Sequence, residues 1–485
     1  MNGAARIRTV WGWAALGGAG SLLIALAGPR ATADATSPWW FAPSIPGGRG
    51  PATALVYVGI ALLCAGWAGL GRDAGGEDTR QLMVIAGVWL VPLALGPALF
   101  SRDVYSYLAQ GTVLHVGANP YHTAPGALAG GPHAPMLAAV SHFWRHTTAP
   151  YGPLFLGMMS VIVGVTGSHL VAGVLVTRAV ELAGVGLLAA AVPRLARRHG
   201  ADPGRALWLA VLNPLIALEL IAAGHNDVLM AALLVAGITV ALSGRPMLGI
   251  VLCALAATFK LPALAGALFI ALAWAREEPG LTARVRFLAV AAAAIALTLA
   301  AVSLATGVGL SWLSTNLLST PAKVRLAITP STGVAYTVAG LLHDAGLAVN
   351  SRSVEAAFGT ATLALTGVLG VVLAWRLRIR TLALFTGVLL IAAAAGGPAA
   401  WPWYFSWGLV LLAACPVPQR SLVLAAGSIV AVFLIKPNGI LALPLPSAPA
   451  VMAVYAVLLG RYWTGRRGGR GHGPAARTHS ALAGT

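Results

Sequence analysis

Apolar runs of roughly 17–25 residues recur along this chain, each long enough to cross the hydrocarbon core of a bilayer as a helix. Of its 485 residues only 9% are charged and 58% are hydrophobic. A soluble protein of this size needs far more charge on its surface. The chain is therefore expected to be an all-α polytopic membrane protein with about fourteen spans, helical because a bilayer leaves no water for unpaired backbone groups. Residues 1–463 are expected to form the transmembrane domain, and the basic stretch 464–485 a disordered tail.

The net charge of +18 would suggest a nucleic-acid partner in a soluble chain. Here the basic residues concentrate in short loops and the tail, as the positive-inside rule requires, so no nucleic-acid partner is expected. Cys64, Cys253 and Cys415 are unclustered and lie in or beside apolar runs, implying neither a disulfide framework nor a thiolate metal site.

Arg6 and Arg8 place the N-terminus in the cytoplasm. Ala31-Thr32-Ala33 resembles a signal cleavage site, but the run from Val10 to Gly28 is long for a cleaved segment and is expected to be retained. Spans at 10–28, 51–71 and 82–100 then deliver Ser101 to the outer face. A re-entrant or interfacial helix over 151–168, followed by a span over 169–193, keeps Arg194, Arg197 and Arg198 in the cytoplasm. Further spans include 205–224 and 228–243, with 307–353 as a second external loop and both termini cytoplasmic. This topology collects Asp103, His225–Asp227, Lys260, Lys323, Arg325 and Trp401–Trp407 on one membrane face.

Those residues carry the candidate chemistry. Asp103 either caps a helix or serves as a general base that burial at the membrane boundary tunes toward neutrality. Asp227, in Gly224-His225-Asn226-Asp227, is open to the same capping reading, while His225 and Asn226 can bond sugar hydroxyls. Lys260 sits between two short apolar segments, where it either snorkels to the interface or binds a lipid phosphate. Lys323, Arg325 and Arg102 are candidates for the same anion. Trp401, Trp403, Tyr404 and Trp407 form either an aromatic belt or a stacking surface for a sugar. His142 and His146 have metal-pair spacing but no accompanying HExxH sequence, and no metal site is assigned. Glu181 and Glu219 fall inside expected spans and receive no role.

Several of these blocks together resemble one family. Ser101-Arg102-Asp103-Val104-Tyr105-Ser106-Tyr107 with Gln110-Gly111, and then Asn119-Pro120-Tyr121, look like the first external loop of actinobacterial polyprenyl-phosphate-mannose-dependent α-1,6-mannosyltransferases. Tyr151-Gly152-Pro153-Leu154, Gly224-His225-Asn226-Asp227-Val228-Leu229-Met230, Lys260-Leu261-Pro262-Ala263-Leu264 and Trp403-Tyr404 match further blocks in the same order. Glu219 departs from the pattern.

The resemblance implies the glycosyltransferase C type of membrane fold, with external loop and juxtamembrane helices. It implies a polyprenyl-phosphate mannose donor, a lipoglycan or mannan acceptor, and Asp103 as the catalytic base. Tyr105, Tyr121, His225, Asn226, Asp227, Trp403 and Tyr404 would then bind substrate, and Lys260, Arg325, Lys323 and Arg102 the lipid phosphate. No nucleotide cofactor is implied, and a divalent cation is left open. The rival readings are another sugar or linkage (α-1,2-mannosyl or arabinosyl) and a non-catalytic lipid or solute transporter. A transporter is expected to show internal repeats, which are not evident here.

Overall fold

The computed structural model describes residues 3–32, 39–41, 43–73, 78–313, 330–397, 401–416, 418–439, 447–454, 456–457 and 460. These are almost wholly helical. In chain order the helices are α1 (Gly3–Thr32), α2 (Arg49–Asp73), α3 (Thr79–Leu95), α4 (Asp103–His115), α5 (Ala134–Ala139), α6 (His142–Arg145), α7 (Pro153–Thr166), α8 (Leu170–Arg198) and α9 (Pro203–Ala210). A π-helical turn at Ile216–Ala222 precedes α10 (Asp227–Ala241), α11 (Pro246–Ala257), α12 (Leu264–Ala275), α13 (Gly280–Ala305), α14 (Pro330–Asp344), α15 (Ser351–Arg376), α16 (Leu382–Gly396), α17 (Ser406–Leu412) and α18 (Pro418–Val432).

Six helices among the described residues are long and apolar enough to cross a membrane, or seven if the bent pair Ile216–Ala222 and Asp227–Ala241 counts as one span. Five shorter apolar helices accompany them. Large apolar side chains such as Leu281, Leu297 and Leu304 on α13, and Leu365, Val371 and Trp375 on α15, are exposed, which suits contact with lipid. The protein is thus an all-α polytopic membrane protein.

Because lipid tails are as apolar as the helices, polar ties and close packing must hold the bundle together. Trp67 Nε1 donates to the Trp208 carbonyl at 2.9 Å and Trp208 Nε1 to the Trp67 carbonyl at 2.8 Å, with the two rings stacked at 4.7 Å. Trp89 Nε1 fastens α3 to α1 through the Ala14 carbonyl.

Three segments differ from expectation. The run 205–224 is not one straight span: α9 ends at Ala210, and the π turn meets α10 at 118°. The run 82–100 stops being helical at Leu95, because Gly96-Pro97 cannot continue it. The expected external loop 307–353 contains α14. The tail at 464–485, with Lys323 and Arg325, lies outside the described residues.

Candidate active site

The site begins where α3 ends. The backbone from Gly96 to Arg102 runs as an irregular connector whose carbonyls need partners. Arg178 on α8, fully buried, supplies them: its guanidinium donates to the carbonyls of Ala94, Gly96, Pro97 and Ala222. Leu99 N–H adds a bond to the Ala222 carbonyl, and Phe100 N–H one to the Pro437 carbonyl. Phe100 has φ +64°, the one positive φ on a non-glycine residue among those described. This left-handed kink turns the chain into Ser101 and launches α4 at Asp103.

The residues after the kink are buried, although their composition is polar. Ser101, Asp103, Ser106, Gln110 and Thr112 all lie inside, so the first part of the expected external loop is an internal helix. Of the two readings of Asp103, the helix cap is not realised. Its own N–H donates to Ser101 Oγ at 3.0 Å, and its carboxylate accepts from Trp144 Nε1 at 2.9 Å. Burial pushes its pKa up to about 6, against the lowering effects of Lys260 and of the Trp144 and Ser101 hydrogen bonds, with Asp227 adding a smaller raising effect.

The second element is the turn between the π helix and α10. Gly224, at φ +76°, doubles the chain back against Val104, next to Asp103. His225 then sits with Nε2 3.8 Å from Asp103 Oδ2, while its Nδ1 is 2.5 Å from the Glu219 carbonyl. A carbonyl can only accept, so Nδ1 carries the proton and Nε2 presents a lone pair. The Asp103 oxygen and the His225 nitrogen are therefore two acceptors facing one another with no donor between them. The gap suits one hydroxyl, whose single proton goes to one of the two atoms. Asn226, fully buried, leaves both amide atoms unpaired among the described residues.

Asp227 opens α10 but spends its carboxylate elsewhere: Oδ2 accepts from Lys260 Nζ at 2.7 Å and Oδ1 from Trp407 Nε1. Lys260 is thus paired inside the protein rather than snorkelling to the interface. Its ammonium lies 4.8 Å from the Tyr404 ring centroid and within 6 Å of the Tyr151 and Trp407 rings. Tyr151 reaches this place because Gly152 N–H bonds the Phe259 carbonyl and Leu154 N–H the Thr258 carbonyl. A Cβ at Gly152 would stand 2.1 Å from Thr258 O, so only glycine fits.

The tryptophan block closes the other side. Trp401, Trp403 and Trp407 are buried, which excludes the lipid-facing belt. Trp403 stacks on His225 at 3.8 Å between centroids, and Tyr404 on Trp407 at 4.2 Å.

Asp103, His225, Asn226, Asp227, Lys260, Trp403 and Tyr404 are accordingly brought together. Arg102 points elsewhere: Nε and Nη2 both donate to the Ala139 carbonyl, tying α5 to the loop. Tyr121 donates its hydroxyl to the Tyr151 carbonyl at 2.8 Å and packs in a separate apolar cluster with Trp312. Tyr105 is buried on α4. Glu219 keeps a buried carboxylate without a hydrogen-bond partner, as does Glu181, among the described residues. His142 and His146 are exposed, and among the described residues no three His, Cys, Asp or Glu side chains cluster for a metal. Sequence reasoning missed Trp144 and Arg178 outright, and counted Trp407 only as part of the aromatic block.

Residues 14–276 match the family described as "Alpha-(1->6)-mannopyranosyltransferase, N-terminal domain", and residues 329–464 match the "MptB C-terminal domain". The chain is 35% identical over 404 residues to alpha-(1->6)-mannopyranosyltransferase A of Mycobacterium tuberculosis, covering 79% of this chain and 75% of the relative. It is 34% identical over 402 residues to a probable alpha-(1->6)-mannopyranosyltransferase of Mycolicibacterium smegmatis, covering 74% and 70%. Alpha-(1->6)-mannopyranosyltransferase B of Corynebacterium glutamicum is 29% identical over 397 residues, covering 74% and 64%. No solved structure matches the chain.

Proposed function

The chain belongs to the alpha-(1->6)-mannopyranosyltransferase family, and on that premise we propose that it takes mannose from a polyprenyl phosphate and adds it to a growing lipoglycan or mannan at the outer face of the cytoplasmic membrane. It is a membrane-embedded mannosyltransferase that forms an α-1,6 link. The observation that carries the mechanism is the pair of facing acceptors, Asp103 Oδ2 and His225 Nε2, 3.8 Å apart.

The acceptor's 6-hydroxyl enters that gap. Asp103 takes its proton as the oxygen attacks the anomeric carbon, and the bond from that carbon to the phosphate oxygen breaks. His225, held by the Glu219 carbonyl and the Trp403 face, lines the opposite wall of the gap. Polyprenyl phosphate departs as an anion and needs positive charge rather than a general acid. Lys260 supplies it, with N–H donors to spare beyond the one given to Asp227. A single displacement on a β-linked donor inverts the centre and gives the α product. The prenyl tail keeps the donor in the bilayer, so the site need only align it with the acceptor.

The outer-face placement is supported by charge. Arg194, Arg197, Arg198, Arg245, Arg276, Arg378 and Arg380 lie at the far ends of helices whose other ends lie at the site. Membranes containing the protein, supplied with radiolabelled polyprenyl-phosphate mannose and a mannan acceptor, should transfer label, and Asp103→Ala protein should not. Label moving at the wild-type rate in Asp103→Ala protein would remove the base assignment.

A further inference from the structure

Trp144 Nε1 donates to Asp103 Oδ1, which leaves Oδ2 to face His225 Nε2 across 3.8 Å. The imidazole is held from two sides and cannot turn away. Its Nδ1–H is bonded to the Glu219 carbonyl, and its ring lies on Trp403, 17° from parallel. Nε2 is enclosed and has no partner among the described residues, while the Asp103 side chain keeps 12% of its surface open. A buried acceptor without a donor costs free energy, and here it faces a carboxylate oxygen rather than a donor.

That mismatch exists only while Asp103 is ionised. A proton on Oδ2 makes the oxygen a donor, and Nε2 is the acceptor it meets. An O–H···N bond needs roughly 2.8 Å, so protonation draws the two side chains together by about 1 Å. The proton stays on the acid. Burial, and after it Lys260, push the His225 pKa down to about 3, against the raising effect of the Glu219 hydrogen bond. The two carboxylate oxygens are therefore unequal: Trp144 favours charge at Oδ1, and Nε2 favours a proton at Oδ2.

We propose that His225 is a positioning residue of the transfer reaction: its Nε2 accepts the hydrogen bond of the proton that Asp103 captures at Oδ2. This rests on the mannosyl-transfer reading of the site. The acceptor oxygen forms its bond to the anomeric carbon, the bond from that carbon to the phosphate oxygen breaks, and the hydroxyl proton ends on Oδ2. Turned toward Nε2, that proton no longer points back at the new glycosidic oxygen. Once product leaves, it passes to water through the open edge of Asp103. The other charged or titratable groups around the pair are Lys260, Asp227, Tyr107, Tyr151 and Tyr404, with Glu181 reaching the Gly224 turn from α8. Burial holds the three tyrosines above their ordinary range, so none of them titrates with Asp103.

The test reads Asp103 itself, in the full chain in nanodiscs, from its infrared C=O band, assigned with D103N. H225N and H225F break different contacts. The asparagine amide nitrogen falls near the place of Nδ1 and keeps the Glu219 bond, and phenylalanine keeps the stack on Trp403. They share only the loss of Nε2, and each exchanges one neutral side chain for another. Both should lower the Asp103 titration midpoint by roughly half to one pH unit, the worth of one hydrogen bond. In H225F the band of the protonated acid should also move to higher wavenumber. A midpoint that fails to fall in either variant would overturn the proposal. Wild-type protein gives a readout that does not depend on the variants folding: in isotope-labelled protein the nitrogen NMR signal of Nε2 should follow the Asp103 titration, and a signal that ignores it would overturn the proposal equally. Label transfer is assayed in parallel. Wild-type enzyme that moves no mannose would remove the mannosyl-transfer reading, whereas unshifted midpoints beside active enzyme would remove only the part given to His225.

Discussion

Lys260 Nζ lies 2.7 Å from Asp227 Oδ2, a cation and an anion brought together inside a membrane protein from two different helix junctions. Asp227 is fully buried and Lys260 nearly so. Removing one partner leaves an uncompensated buried charge, which costs about 3–5 kcal/mol, while removing both costs much less. Lys260→Met should therefore lower the unfolding midpoint in detergent sharply, and Asp227→Asn combined with Lys260→Met should recover part of the loss. Additive effects in the double variant would mean that the two side chains do not depend on each other.

Asp103 should reveal its role by opposite effects on rate and stability. A base contributes typically 10²–10⁴-fold, so Asp103→Asn should cut transfer by about that factor. Its folded pKa of about 6 lies above the ordinary carboxylate value of 3.8, so ionisation opposes folding. That penalty is absent below pH 3.8, grows as the pH rises toward 6, and is complete above it. Asp103→Asn should accordingly be more stable than wild type at pH 8, by at most about 3 kcal/mol, and no more stable at pH 3.5. A helix-capping aspartate would instead lose stability at neutral pH on this substitution.

The pH profile follows from the same carboxyl. The free enzyme needs Asp103 ionised, so kcat/KM should fall as the pH drops through about 6. An acid limb near pH 4, the range of an exposed carboxylate, would place the essential base elsewhere.

Trp144 donates to the ionised form of Asp103, and its hydrogen bond holds the pKa down. Trp144→Phe keeps the aromatic volume and deletes the donor. The acid limb should then move upward, by roughly one pH unit for the loss of a charge-assisted hydrogen bond. A limb that stays in place in Trp144→Phe enzyme would show that the indole does no electrostatic work there.

Arg178 gathers four carbonyls from two segments. Arg178→Met leaves them without donors in a buried place, and folded protein recovered from membranes should drop severely, with a loss above about 3 kcal/mol. Near-wild-type melting of Arg178→Met protein would show that water reaches those carbonyls.

The membrane class and the polar blocks at 101–107, 224–227 and 403–404 were legible because hydropathy and local motifs are written in contiguous residues. Their convergence was inferred from the alternation of charged loops, and the 3.8 Å approach of His225 to Asp103 agrees with it. What escaped were partners joined across long separations. Trp144 sits in a loop without periodicity, and nothing local aims its indole at Asp103. Arg178 lies in an apolar run, and nothing local marks its charge as a fastening for carbonyls far away in sequence. The break at Ala210–Ile216 was hidden because each piece is apolar enough to extend the other. Composition also misled: Ser101, Ser106, Gln110 and Thr112 read as a watery loop, yet Ser101 is buried just before α4 and the other three are buried within it.

The kink at Phe100 has a bearing on how the protein could be divided. Its N–H is anchored to the Pro437 carbonyl, and Trp407 reaches across to Asp227. The amino-terminal portion thus holds the proton acceptor while the carboxy-terminal portion supplies its scaffolding. Split halves made as separate polypeptides would be inert individually, and only their reassembly within one bilayer would restore a working enzyme.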